Sequence, residues 1–309
     1  MKTTNKIISK FILSIVLIGC SFSPTVFGQV GQQIDSLLLI KDIRTLSSVE
    51  FAGRRPGTPE HQKSVDYITD RFASLGLQKV NGSYIAEFPI NDTLTGKNLL
   101  AIIPGKSEKT IVISGHYDHL GFRRGELHPG ADDNASGASG LLAIAAYYAD
   151  KTPNHTLLFI SFDAEEMGLR GARHFVDNPP FPLERIILNI NMDMISRNDE
   201  NRLIACGTHH SPHLLPFVER GGNGFVQLIA GYDVPGTGRN DWTMQSDQGA
   251  FFRKNIPFIY FGVEDHPDYH TPRDTFENIQ PQFFYQATNV ILNVIKDLDT
   301  NLSITDHNE

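Results

Sequence analysis

The stretch TIVISGHYDHLG, residues 110–121, sets a pattern that the rest of the chain repeats. Its first half is apolar and rich in β-branched residues, which is typical of a buried strand. Its second half brings His116, Asp118 and His119 together within four residues. Imidazole and carboxylate groups bind metals and transfer protons. We therefore predict a strand over residues 110–114 that is followed by functional side chains.

Three other apolar runs are followed by polar residues of the same kind. DAEEMG follows the run at 156–162, NMDMIS follows the run at 185–190, and VEDHPDYHTPRDT comes shortly after the run at 257–261. In open α/β sheets, ligands bind outside the carboxyl ends of the strands. We therefore expect all these polar side chains on one rim of a sheet.

Helix-like segments alternate with these runs and with two further ones, at 99–103 and 203–206. The expected helices are 35–48, Pro59 to Gly76, 136–149, 170–177, 211–220, 247–254 and 282–298. Continuous apolar strands that alternate with helices indicate a buried, mostly parallel sheet. The predicted fold is α/β, a three-layer sandwich with a mostly parallel mixed central sheet and a metal site at the carboxyl ends of its strands.

The segment GADDNASG, residues 130–137, carries two adjacent aspartates. It can be explained as a helix start, because Asp, Asn and Ser cap helices and carboxylates are favoured at a helix N-terminus. The apolar spacing of residues 136–149 supports such a helix. Taken alone, the segment is explained equally well by a helix start and by a cation bound beside the aspartates.

The residue types at the rim favour the cation. They are His116, Asp118, Asp133, Glu165, Glu166, Asp193 and His270. Neutral imidazole and carboxylate oxygen are ligands of zinc, and a carboxylate shared between two groups suits a pair of divalent ions. Oxygen-rich ligation also admits cobalt or manganese.

HYDHLG, GADDNASG, DAEEMGLRGA, NMDM and YHTPRDT occur in this order. In this order they resemble the two-zinc exopeptidases of metallopeptidase family twenty-eight. The resemblance covers about residues 36–298 and includes the lead-in FAGRRPGTPEHQKSVDYI. That family contains bacterial leucyl aminopeptidases and plasma glutamate carboxypeptidase, with the glutaminyl cyclases as a sister group.

The resemblance implies a ligand set for two zinc ions. His116 and Asp193 would bind one metal, and Glu166 and His270 would bind the other. Asp133 would bridge the two metals.

The resemblance also implies roles beside the metals. Asp118 would orient the His116 ring, and Asp132 would lie nearby without ligating. Glu165 would activate a metal-bridging water and then protonate the leaving amine. Tyr269 resembles a family tyrosine that donates to the oxyanion.

The function expected from the resemblance is a zinc aminopeptidase acting on peptides with a free N-terminus. A glutaminyl-peptide cyclotransferase typically uses one zinc and lacks the counterpart of His116. A dipeptidase or carboxypeptidase would need arginines near the metals, for which Arg123, Arg124 and Arg170 are candidates. A non-catalytic binding module would have lost ligands, and this chain retains the whole set.

Some polar residues fall outside the family pattern. His119 is expected to be a packing or rim histidine, not a sixth ligand. Surface or pocket-rim positions are expected for His128, His209, His210, His213 and His266. Gln248, in SDQGAF, stands where many relatives carry a histidine, which affects the expected pocket polarity and substrate preference and not the metals.

The N-terminal segment is typical of an export signal. It combines Lys2, Lys6 and Lys10 with the short apolar run FILSIVLIGC. We expect a signal peptide over residues 1–28, or alternatively residues 1–19 with a lipidated Cys20 as a membrane anchor. A single exopeptidase domain is expected over 30–300, followed by a polar tail, 301–309. The protein is expected to be exported, as a periplasmic or secreted protein or a lipoprotein.

The composition excludes some partners and some covalent features. The net charge is −8 and no basic run is present, so nucleic acid is not an expected partner. Removal of residues 1–28 would leave Cys206 as the single cysteine, which excludes an intramolecular disulfide. We expect Cys206 to be a buried strand residue without a chemical role.

Overall fold

A computed structural model describes residues 34–302. The expected signal segment, the alternative lipidation at Cys20 and residues 303–309 of the expected tail lie outside the described residues. Of the helices formed by residues 34–302, none has the length and apolar character needed to cross a membrane.

Residues 34–302 form seven α-helices and eleven β-strands. The helices are α1 (Ser36–Leu46), α2 (Pro59–Ser74), α3 (Gly137–Tyr148), α4 (Arg170–Asp177), α5 (Leu215–Gly221), α6 (Gln248–Phe252) and α7 (Pro281–Asn301). The strands are β1 (Gln78–Lys79), β2 (Ile85–Pro89), β3 (Thr95–Ile103), β4 (Ser107–His116), β5 (Gly121–Arg123), β6 (Glu126–His128), β7 (His155–Phe162), β8 (Ile186–Met192), β9 (Arg202–Cys206), β10 (Gln227–Ala230) and β11 (Phe258–Gly262).

The central sheet is mixed, with a parallel centre. Eight strands follow the order β1-β3-β7-β4-β8-β11-β9-β10, and β2 pairs with β3. The neighbours β7, β4, β8 and β11 are parallel. β3 runs antiparallel to β7, and β9 runs antiparallel to β11, so reversed strands flank the centre on both sides. This arrangement confirms the predicted fold class.

Helices cover both faces of the sheet. Side chains alternate along β4, so Ile111 and Ile113 enter one apolar core while Val112 enters another. The first core packs against α1, α2, α3, α5 and α7, and the second packs against α4 and α6. Cys206 is a buried residue of β9, as expected, and it is a free cysteine within the described residues.

The apolar patterns located the buried elements and missed the exposed ones. The predicted helix at 211–220 begins with a 3₁₀ turn, Pro212–Leu214, before α5. β1, β2, β10 and the β5–β6 hairpin were not predicted. One residue of β2 and none of β10 is buried, and the polar residues Glu87 and Gln227 interrupt the apolar character of these two segments.

Candidate metal centre

The carboxyl ends of the four central parallel strands meet at one edge of the sheet. His116 is the last residue of β4, and Asp193 directly follows β8. Glu165 and Glu166 lie in the loop after β7, and His270 lies in the loop after β11. The parallel centre therefore brings residues more than 150 positions apart in sequence to one place.

The first group of candidate ligands, called the first ligand group below, consists of His116, Asp133 and Asp193. The Nε2 atom of His116 lies 3.3 Å from Oδ1 of Asp193 and 3.5 Å from Oδ1 of Asp133. The His116 side chain is almost completely buried. These three side chains converge on one point from β4, from the turn before α3 and from the end of β8.

The second ligand group consists of Asp133, Glu166 and His270. The Nε2 atom of His270 lies 2.9 Å from Oδ2 of Asp133 and 3.2 Å from Oε1 of Glu166. Asp133 thus directs one carboxylate oxygen to each group, as a bridging ligand requires. Burial lowers the pKa of His270, but the two carboxylates outweigh it and raise that pKa to about 10.

The donor atoms of both groups fit metal ions. Three of these buried ligand atoms have no hydrogen-bond partner among residues 34–302, namely His116 Nε2, Asp193 Oδ1 and Glu166 Oε1. Two donors on one tetrahedral zinc, each bonded at about 2.0–2.1 Å, lie roughly 3.3 Å apart, close to the separations observed here. Buried carboxylates are costly unless a cation compensates them. Bound cations would satisfy both the geometry and the charge.

The GADDNASG segment forms a wide turn, Ala131–Ser136, directly before α3. Its orientation depends on Asp274, which the sequence analysis did not identify. The two carboxylate oxygens of Asp274 accept the backbone N–H groups of Asp132 and Asp133 at 2.9 and 3.0 Å. The contact holds the backbone of Asp133 in place.

Asp132 has different partners from its neighbour Asp133. Its Oδ1 accepts hydrogen bonds from the backbone N–H and the hydroxyl of Ser196, both at 2.7 Å. Its Oδ2 lies 3.1 Å from Nε2 of His266. The Asp132 carboxylate is therefore engaged outside both ligand groups.

Asp118 contacts both His116 and the loop of Glu165. The Nδ1 atom of His116 lies 3.1 Å from the backbone oxygen of Asp118 and 3.7 Å from its carboxylate Oδ1. That Oδ1 accepts the backbone N–H of Glu165 at 3.0 Å. One residue thus orients the ring of a candidate ligand and the backbone of the candidate base.

Glu165 lies beside the first ligand group. One of its carboxylate oxygens is within 4.8 Å of ligand atoms of His116 and Asp193. Burial, helped by the charges of Asp193 and Asp247 and opposed by His116, holds the pKa of Glu165 well above its usual range. A bound cation would oppose that rise.

Tyr269 packs directly on the second ligand group. Its ring stacks on the His270 ring with centroids 3.9 Å apart. Burial and the charges of Asp133 and Asp193 raise the pKa of Tyr269 above its ordinary value of 10.0, so the phenol remains a hydrogen-bond donor.

His119 does not lie at the rim, one of the two positions expected for it. Its side chain is fully buried, and its Nδ1 lies 2.8 Å from Oε1 of Glu166 and 3.6 Å from Oδ2 of Asp133. The chain turns after His116, which brings His119 back towards the second ligand group. Nothing in the spacing of HYDH shows this turn.

Two further charged residues were missed by the sequence analysis. Arg54, from FAGRR, is fully buried and donates to the backbone oxygens of Leu46, Tyr117, Pro129 and Gly130 at 2.6–2.8 Å. Asp247 is fully buried and neither carboxylate oxygen is hydrogen-bonded by any described residue. Burial raises the pKa of Asp247 to about 8.

Gln248, the departure from the family pattern, is a buried connecting residue. Its amide nitrogen donates to the backbone oxygen of Trp242 at 2.8 Å, and its amide oxygen accepts from the side chain of Asn191 at 3.1 Å. It connects the loop before α6 to β8 and contributes no ligand atom to either group.

Comparison with known proteins now identifies the class. The model of Peptidase family M28 matches residues 98–295. This chain belongs to that family. Aminopeptidase YwaD of Bacillus subtilis strain 168 is 28% identical over 211 residues, which cover 64% of this chain and 43% of YwaD. The chain spans about half the length of the curated relatives it matches.

Solved structures share the fold. A Zn-dependent exopeptidase from Parabacteroides distasonis superposes with a TM-score of 0.71 at 20% identity, covering 86% of this chain and 99% of that protein. A glutaminyl cyclase from Bacteroides thetaiotaomicron gives a TM-score of 0.69 at 19% identity, with 86% and 99% covered. Similarity at these identities establishes the architecture alone.

Proposed function

We propose that this protein is a zinc-dependent aminopeptidase that releases N-terminal residues from peptides. One observation carries the proposal. The two oxygens of Asp133 face the histidines of two separate histidine–carboxylate pairs, His116 at 3.5 Å and His270 at 2.9 Å, with Glu165 beside the first pair. Membership of Peptidase family M28 supports peptide hydrolysis, and the similarity to an aminopeptidase favours attack at the N-terminus.

The two ligand groups would each hold one zinc ion. His116, Asp133 and Asp193 would bind one, and Asp133, Glu166 and His270 would bind the other. Bound zinc would polarise a scissile carbonyl and would lower the pKa of a bound water from 15.7 to about 7. Cobalt or manganese would also suit these nitrogen and oxygen donors.

Glu165 would act as the general base and then as the general acid. Its carboxylate accepts the proton of the attacking water, and the water oxygen adds to the scissile carbonyl carbon. The same proton is then delivered to the leaving nitrogen as the C–N bond breaks. The hydrogen bond from the Glu165 N–H to Asp118 holds Glu165 in place while the protonation state of its carboxylate changes.

Tyr269 would stabilise the charge that develops on the carbonyl oxygen. Its protonated hydroxyl can donate to that oxygen, and its stacking on His270 keeps it beside the second ligand group. The α-ammonium of a substrate would be attracted by the acidic rim, in keeping with a net charge of −8.

Export is proposed on sequence grounds. The lysines and the apolar run before Gly28 support a signal peptide, and Cys20 is the alternative site of a lipid anchor. Mass spectrometry of the protein recovered from the producing cell would distinguish an N-terminus near Gln29 from a lipidated Cys20.

A mixed peptide library with free, N-acetylated and N-terminal glutamine members tests the activity. We expect loss of one N-terminal residue from free peptides and none from acetylated ones, with about two zinc ions per chain. C-terminal trimming would identify a carboxypeptidase, and loss of ammonia from glutamine peptides would identify a cyclase. A silent, metal-free protein would contradict the proposal and favour a binding module.

A further inference from the structure

His119 lies against the second ligand group without belonging to the family ligand set. We propose that His119, through Nδ1, is an additional ligand of the metal held by Asp133, Glu166 and His270. This metal would then have four protein ligands. The inference rests on the two-metal site of the proposed function and adds a residue to it.

The position of the His119 ring carries the argument. Nδ1 of His119 and one oxygen each of Asp133 and Glu166 lie within 4.8 Å of one another. The 2.8 Å contact with Glu166 and the 3.6 Å contact with Asp133 bracket the separation of roughly 3.3 Å expected for two donors on one zinc. His270 reaches the same two carboxylate oxygens from the other side, with the two histidine rings 5.7 Å apart.

The environment of the ring does not fit a histidine that is simply packed. Within residues 34–302, neither ring nitrogen of His119 has a partner in hydrogen-bonding geometry, although the side chain is fully buried. A buried imidazole without partners is costly, and a bound cation would provide one. The ring also lies directly over Gly130, where an added Cβ would come within 2.4 Å of Cγ. The ring is therefore fixed beside the carboxylates.

A fourth ligand would make the two metals unequal. The second metal would have His119, His270, Asp133 and Glu166, the four ligands typical of closed zinc sites. The first metal would have three protein ligands, His116, Asp133 and Asp193, and an open position, as catalytic zinc sites have. We therefore infer that the second metal is held tightly and that the first metal is the one that exchanges.

Competition with a chromophoric zinc chelator tests the inference on the full chain. Wild type should release zinc in two steps of different affinity. In His119→Ala and His119→Asn, the affinity of the tighter step should fall by about 100-fold or more, at or above the 10- to 100-fold that loss of an outer-sphere partner costs. His128→Gln, on the neighbouring hairpin, is the matched control and should behave as wild type. Circular dichroism confirms that each variant is folded.

The asparagine variant separates ligation from hydrogen bonding. Its side-chain amide can donate to Glu166 from about the position of Nδ1 but is a poor zinc ligand. Recovery of wild-type zinc affinity in His119→Asn, with loss in His119→Ala, would overturn ligation in favour of a hydrogen bond to Glu166. Cobalt(II) gives a second measurement, since loss of a nitrogen ligand should change the absorption spectrum of the tighter site.

The remaining outcomes distinguish this inference from the proposed function. Two zinc ions of unchanged affinity in both variants, with aminopeptidase activity in wild type, would overturn the role of His119 alone. A wild type that binds two zinc ions without cleaving peptides would refute the proposed function, and the zinc affinities would still decide the role of His119. A wild type that binds no zinc would overturn both.

Discussion

Adjacent residues in this site have opposite electrostatic environments. Burial raises the pKa of Glu165 well above its usual range. Burial also acts on Glu166, but there the rings of His119 and His270 outweigh it and lower the pKa. Two neighbouring carboxyl groups whose pKa values are driven apart suit different tasks, proton transfer for one and ligation for the other. Asp118 fixes the backbone of Glu165 by accepting its N–H.

Replacing Glu165 with Gln tests this division at a single residue. The amide keeps the size of the side chain and cannot accept a proton, so kcat should fall by about 10²- to 10⁴-fold. Zinc content should stay at the wild-type value, because the ligand groups are intact. Steady-state kinetics and metal analysis on the same preparation measure both quantities. A variant that loses one zinc would make Glu165 a ligand, and one with full activity would remove it from the mechanism.

At the scale of elements, the ligands are held by loops that distant segments stabilise. Arg54, in the turn between α1 and α2, binds the backbone oxygens of Tyr117, Pro129 and Gly130. These oxygens belong to the loop after β4 and to the approach to the wide turn before α3. An early segment of the chain thus joins the two loops that carry His116, His119 and Asp133.

Substitution of Arg54 should therefore damage both stability and metal binding. Each buried carbonyl left without a donor costs about 1–3 kcal/mol, and Arg54 serves four of them. Arg54→Met should lower the free energy of unfolding by at least about 3 kcal/mol, measured by urea denaturation. Arg54→Lys retains the charge and lacks the planar fork, so it should recover little. Full recovery of the free energy of unfolding in Arg54→Lys would show that Arg54 stabilises the fold through its charge and not through its hydrogen-bond geometry.

The last helix is attached to the sheet by a buried carboxylate. Asp299 of α7 accepts the backbone N–H groups of Asn154 and His155, at 3.0 and 2.8 Å, where β7 begins. Burial raises the pKa of Asp299, but the His155 ring and these N–H groups outweigh it and hold the pKa below its ordinary value of 3.8. A depressed folded-state pKa contributes stability that is present above the unfolded-state pKa and is lost as pH falls through the folded-state value.

Asp299→Asn should remove that contribution. At neutral pH the variant should be less stable by about 1–3 kcal/mol, since hydrogen bonds to an ionised acceptor are lost. This deficit should shrink below about pH 4, where wild type also loses the contribution of ionised Asp299. Asp297→Asn on the same helix is the control, because it removes a surface pair with Arg220, worth about 0–1 kcal/mol, and keeps an oxygen that can accept from Asn301. Thermal unfolding followed across pH measures the difference, and a pH-independent deficit would contradict this account.

Sequence reasoning recovered the elements whose burial leaves an apolar pattern, and it placed the candidate ligands that follow them at one edge of the sheet. It recovered β4, β7, β8 and β11 because each is a continuous apolar run, and the parallel order then placed their ends together. The place of His119 beside Glu166 was not predicted, because it depends on a turn of the loop. Asp274 was missed because the backbone groups that it binds lie 141 and 142 positions away in sequence. Asp247 was missed because its carboxylate has no hydrogen-bond partner among the described residues, so local spacing carries no signal for it.

At the scale of the whole molecule, the site concentrates acidic charge where the sheet is best buried. Asp133 is almost completely buried, and both burial and the charge of Glu166 raise its pKa above the ordinary value. Without a cation, this arrangement opposes folding, since ionised carboxylates are desolvated side by side. With a cation bound, the same residues favour folding through the binding energy.

Metal removal should therefore lower stability. The effect of Asp133→Asn on stability should change sign when the metal is removed. Zinc at 100 times its dissociation constant adds about 2.7 kcal/mol per site, so a chelator should lower Tm by about 5–10 °C for each occupied site. Asp133→Asn should be less stable than wild type when zinc is present, because it loses the bridging ligand. In chelator it should be more stable than wild type, because it removes a buried charge beside Glu166. Scanning calorimetry of both proteins, with zinc and with chelator, gives the four Tm values. The same order of stability in both conditions would mean that repulsion among these carboxylates does not limit the metal-free fold.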